Sequence, residues 1–138
     1  MTDKTNFVAV IVAAIAYWIL GAVWFTVLAN PWAEGIGKTQ EQIMQAGSPI
    51  VPYFIALASN LVMAFVLAWV VVATGEQSAS RGIKLGALMG LGLVAAAMGT
   101  EFAFERRSLQ IFLIIGGYPL AGLALMGAIV GGWRRKAA

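Results

Sequence analysis

The sequence contains no cysteine and no histidine. Those absences exclude disulfides, thiol chemistry, histidine-ligated haem and the usual zinc sites. They also exclude a Ser-His-Asp triad and an imidazole proton switch. Charge is scarce as well: 11% of the 138 residues are Asp, Glu, Lys or Arg, against 61% hydrophobic. A soluble domain is nearer half apolar and a quarter charged, and one this small exposes too much surface to hide such an excess. Lipid is the solvent that fits. The length indicates one domain over residues 1–138. The net charge of +3 forms no separate basic patch and accompanies no nucleic-acid motif, so no nucleic-acid partner is expected.

What the chain has instead is four apolar runs, about residues 7–28, 51–73, 85–104 and 109–133. A membrane helix needs about 20 such residues. None of the runs holds Lys or Arg, and only the third holds an acid, Glu101. Lys4 before the first run, with Ala14-Ile15-Ala16 inside it, imitates a signal peptide, but the run is too long for a signal h-region and is expected to be retained. The fold class predicted is all-α: a four-span membrane bundle. Lys4, Arg81, Lys84, Arg134, Arg135 and Lys136 fall on the side of the termini, and Lys38, Arg106 and Arg107 on the other. The positive-inside rule then makes both termini cytoplasmic, as in a bacterial plasma membrane. Trp24, Trp32 and Tyr53 are expected at the outer interface, and Trp69 and Trp133 at the inner one.

Two connections differ in kind. The 29–50 stretch is a long outer loop, opened by the Asn30-Pro31 turn signal and closed at Ser48-Pro49. A short surface helix over about residues 38–46 fits inside it. The stretch "TGEQSASRGIK", residues 74–84, reads as a plain connector. "EFAFERRSLQIF", residues 101–112, places four charges between two apolar runs, as a tight outer hairpin with Ser108 as N-cap of the last helix. Glu101, Glu105, Arg106 and Arg107 form its charge cluster. Glu101 is expected to pair with Arg106, Arg107 or a neighbouring subunit.

Buried polar groups in lipid are the usual pointers to function. Asn60 and Tyr118 each lie nine residues in from the outer start of their helix, roughly 14 Å deep and so near the bilayer midplane. Tyr17 and Trp18 reach a similar level on the first helix. Pro119 falls in the same layer and interrupts the last helix. A midplane solute site is one interpretation; interhelical hydrogen bonding is the simpler one. Gly82, Gly86 and Gly90 form a stripe on the third helix, and Gly127 and Gly131 on the fourth, for close helix packing inside the chain or between subunits. No nucleophile has a visible base and no phosphate loop or metal-ligand spacing appears, so no enzyme activity, cofactor or metal is expected. A proton-coupled exporter of this size needs a carboxylate deep in the membrane. Glu101 is too shallow for that role.

"FERRSLQIFLIIGGYPLAGLALMGAIVGGW" resembles the last helix of a bacterial membrane family, domain of unknown function 1761, and "NFVAVIVAAIAYWILGAVWF" followed by "PWAEGIG" resembles its opening helix and Trp-containing loop. The resemblance implies a small four-helix membrane protein and no assigned activity. Where members of that family often carry a polar residue before Gly116-Gly117 and a His after Tyr118, this chain has Ile115 and Pro119. No proton or metal role carries over. The sequence therefore points to a non-catalytic packing, accessory or oligomeric membrane component, with the lipid bilayer and a homo-oligomer or larger membrane complex as partners. A small oligomeric transporter or channel with a site near Asn60 and Tyr118 is the alternative.

Overall fold

The structure is a computed structural model that describes residues 5–47, 50–75 and 77–133. Lys4, Ser48-Pro49, Arg134, Arg135 and Lys136 lie outside the described residues. Every regular element among the described residues is helical: α1 (Phe7–Val27), α2 (Ala29–Gly35), α3 (Gln40–Gln45), α4 (Ile50–Ala73), α5 (Ala79–Met89), a π-helical segment (Gly90–Ala95), α6 (Ala96–Phe104) and α7 (Leu109–Gly132). α5, the π segment and α6 are continuous, so four helices are long and apolar enough to cross a membrane: α1, α4, the third span Ala79–Phe104, and α7.

Local chemistry sets the ends. Asn6 caps α1 by accepting from the Ala9 amide at 3.2 Å, and the Ser108 hydroxyl caps α7 by accepting from Ile111 N at 3.2 Å. Thr39 and Gln42 close a reciprocal capping box on α3. Three boundaries differ from the sequence reading. The third span starts at Ala79, six residues ahead of the apolar run, because Ser78 accepts from Arg81 N and opens the helix early. The surface helix of the 29–50 connection covers only Gln40–Gln45, because its cap is Thr39. Asn30-Pro31 does not make a turn: Pro31 is the third residue of α2, where its missing N–H would lack an intrahelical partner anyway.

The hairpin between the last two spans closes with a Schellman motif. Arg106 takes a left-handed φ of 55°. Its amide bonds to Ala103 O at 3.2 Å and that of Arg107 to Phe102 O at 3.0 Å. The Arg107 guanidinium then lies 4.0 Å from the centre of the Phe102 ring.

α7 is the axis of the bundle. It packs on α1, α4 and the third span, whereas the third span packs chiefly on α7. Of the four spans α7 is the most buried and the third span the least, so the third span is the most lipid-facing of the four. Asn6 Nδ2 donates to Trp133 O at 3.3 Å, which brings the two described chain ends to one end of the bundle. The core is built of small and medium side chains, among them Ala9, Ala13, Ala14, Ala64, Leu67, Val71 and Met126. Lipid tails are as apolar as these groups, so packing and interhelical hydrogen bonds hold the helices together.

Candidate functional site

The α1–α7 seam carries a reciprocal tyrosine lock. Tyr17 and Gly21 are four apart on α1, and Tyr118 and Gly122 are four apart on α7. On each helix that spacing puts both residues on one face. The Tyr17 ring lies against Gly122, where a Cβ would overlap the ring. The Tyr118 ring lies against Gly21, where a Cβ would come within 2.9 Å of the ring carbon that bears the hydroxyl. The two ring centroids are 4.5 Å apart, and the Tyr118 hydroxyl donates to Tyr17 O at 2.9 Å. Trp24 adds a second tie: its Nε1 donates to Ile114 O at 2.9 Å. Phe25 meets Tyr118 edge-on at 5.5 Å. Trp24 is thus turned toward α7 by a backbone acceptor.

Of the five residues expected in one midplane layer, the structure brings Tyr17 and Tyr118 into contact. Pro119 is buried beside Tyr118 on α7. Trp18 points elsewhere, 39% exposed and edge-on to Tyr53 at 6.4 Å. Asn60 is 3% exposed. Phe7 stacks on Phe65 as Trp18 meets Tyr53, so α1 and α4 are antiparallel and Asn60 is level with residues 11 and 12 of α1. That is about five residues, or roughly 8 Å, below Tyr17. Its Nδ2 has no hydrogen-bond partner.

The glycine stripes meet within the chain. A Cβ on Gly82 would strike the Gly127 carbonyl, one on Gly127 the Gly82 carbonyl, and one on Gly86 the Leu123 carbonyl. Gly131 faces Ser78 and Gly82 in the same way. Gly90 sits against the backbone of Pro119 and Leu120, with 2.9 Å from its Cβ position to Leu120 Cα. Gly90 is also the first residue of the π segment. Both helices therefore depart from a regular α-ladder where they touch: α7 because Pro119 cannot donate to Ile115 O, and the third span because its turns widen.

At the hairpin, the ion pair joins Arg107 to Glu105 at 3.6 Å. Glu101 stands one turn deeper, exposed, and is not the partner of Arg107. The pair is solvent-facing and contributes little. Gln110 Nε2 donates to Pro31 O at 2.9 Å, tying the start of α7 to α2. Among the described residues no three His, Cys, Asp or Glu side chains could hold a metal ion.

The sequence reading missed the lock itself. The signal was present as "YWILG" and "YPLAG", the same Tyr-x-x-x-Gly spacing on two helices. Each motif is unremarkable alone, and only the antiparallel pairing makes one fill the gap of the other.

The model of the family described as "Protein of unknown function (DUF1761)" matches residues 8–131. The chain belongs to this family. The match takes in all four spans, the tyrosine lock and the hairpin between the last two spans, so the DUF1761 unit is the whole bundle. Comparison with curated proteins and with solved structures finds no match.

Proposed function

We propose that this DUF1761 protein is a non-catalytic component of a bacterial plasma membrane, with both termini cytoplasmic, that works by associating through its third span with another membrane-spanning helix. The observation that carries this is the outward face of that span. Gly92, Ala96, Thr100 and Ala103 are all exposed and follow one another at spacings of four, four and three. A Cβ at Gly92 would meet nothing within 4 Å inside the chain, so its smallness serves no contact there. The Thr100 hydroxyl is turned back toward Ala96 O at 3.5 Å. Such small-residue faces let a second helix approach closely.

The interior supports the same reading. Tyr118 and Trp24 spend their polar atoms on backbone acceptors of a neighbouring helix, which suits a rigid unit better than a passage. The test is Gly92→Leu with Ala96→Leu, read by intact-complex mass spectrometry in mild detergent. Loss of the associated chain with an unchanged melting temperature supports the proposal; retention of the partner overturns it.

One observation favours a second reading, a small solute transporter or channel: the buried, unpartnered Nδ2 of Asn60. That reading requires Asn60→Leu to abolish flux in reconstituted vesicles while assembly persists.

A further inference from the structure

Across the bundle from the tyrosine lock, α4 and the third span part company. At one end they are joined: Arg81 Nε donates to Thr74 Oγ1 at 3.2 Å. From there two stripes run inward at helical spacing, Val70, Val66 and Val62 on α4 and Leu85, Met89 and Leu93 on the third span, and Val66, Val62, Met89 and Leu93 line one groove. α4 packs on the third span along Ala79–Met89. Beyond Met89 the span continues as the π segment, and Leu93 and Val94 within it line the far wall. The result is a groove of about 150 Å³ between Val62, Met63 and Val66 on one side and Met89, Leu93 and Val94 on the other, floored by Leu123. Every lining side chain is apolar. The groove is open along one side and offers no polar partner, so an apolar chain suits it and a polar group does not.

The groove lies at a depth that a lipid tail reaches. From Arg81 to Met89 is about 12 Å along the helix, and one leaflet of the hydrocarbon core is about 15 Å thick. The charge at that end of the bundle is suited to an anionic headgroup. Arg81 and Lys84 are three apart and so lie on neighbouring faces of α5. The charged residues described at that end, Arg81 and Lys84, are both basic.

We propose that this groove holds one acyl chain of an anionic phospholipid whose headgroup sits at Arg81 and Lys84. The lipid fills the space that the widened turns open between the two spans, and its phosphate is held by the two side chains at the joined end.

The protein, purified in mild detergent, is titrated with phosphatidylglycerol and with phosphatidylcholine bearing the same oleoyl chains. Retained lipid is counted by intact-complex mass spectrometry. The expected result is one retained phosphatidylglycerol, preferred about thirtyfold, as two basic side chains near the membrane surface provide. Leu93→Trp fills the groove and removes the retained lipid. Val66→Phe fills it from the α4 wall and serves the same purpose should Leu93→Trp not fold. Arg81→Gln with Lys84→Gln keeps a bound lipid but erases the preference. Unchanged retention in the filled variants, indicating annular lipid only, overturns the proposal. So does equal retention of the two lipids by the parent, or a second copy of the chain seated where the lipid should be.

Discussion

Tyr118 and Tyr17 hold each other across two helices: the Tyr118 hydroxyl donates to the Tyr17 carbonyl at 2.9 Å, while each ring occupies the space left by the other helix's glycine. The steric part of this lock outweighs the polar part. Tyr118→Phe removes one interhelical hydrogen bond, and the expected loss of stability is about 1 kcal/mol. Gly122→Ala drives a methyl into a ring that is itself 3% exposed and has nowhere to move. Overpacking of that kind costs roughly 1–3 kcal/mol. Thermal unfolding of both variants in the same detergent checks the order, with Gly122→Ala the lower-melting.

The glycines of the third span separate into two kinds. Gly86 faces the Leu123 carbonyl and Gly92 faces outward. Gly86→Leu is expected to push the third span off α7 and leave the protein aggregated or rapidly proteolysed. Gly92→Leu is expected to keep the monomer's melting temperature within a few degrees. Limited proteolysis and size-exclusion chromatography distinguish the two.

Arg106 closes the hairpin in the left-handed region, at a φ of 55°, where glycine is the favoured residue and a Cβ costs about 1–2 kcal/mol. Arg106→Gly is therefore expected to raise thermal stability by up to about 1 kcal/mol. Arg106→Val, β-branched, should lower it. An equal effect of the two substitutions on the melting temperature would contradict the hairpin geometry.

Asn60 buries an amide with no partner for Nδ2. Replacing an unsatisfied buried group by an apolar one of similar shape is neutral or stabilising. Asn60→Leu is expected to leave the melting temperature unchanged or raised, and a marked drop would mean that the amide holds something within the bundle.

The sequence announces the spans because lipid demands unbroken apolar runs, and the Ser108 cap and the hairpin at residues 105–108 because their residue types have few other uses. The start of the third span was hidden because the amphipathic turn Ala79–Lys84 breaks the apolar run, and only the Ser78 cap marks the true beginning. The glycine stripes were visible as spacing, but their partners were not: Gly82 against Gly127 is a fact of register between helices. For the same reason the expected midplane layer dispersed. Asn60 lies roughly 8 Å from the level of Tyr17 because the level of one helix against another is set by their packing and not by residue counts, and the direction Trp18 faces depends on its neighbours, which turn it to Tyr53.

The most direct measurement is the mass of the complex released from native membranes in mild detergent. The expected result is a stoichiometric assembly in which this chain is joined by at least one further membrane-spanning chain, lost on Gly92→Leu with Ala96→Leu. A lone monomer of the parent protein, at concentrations where the bundle is intact, would contradict it.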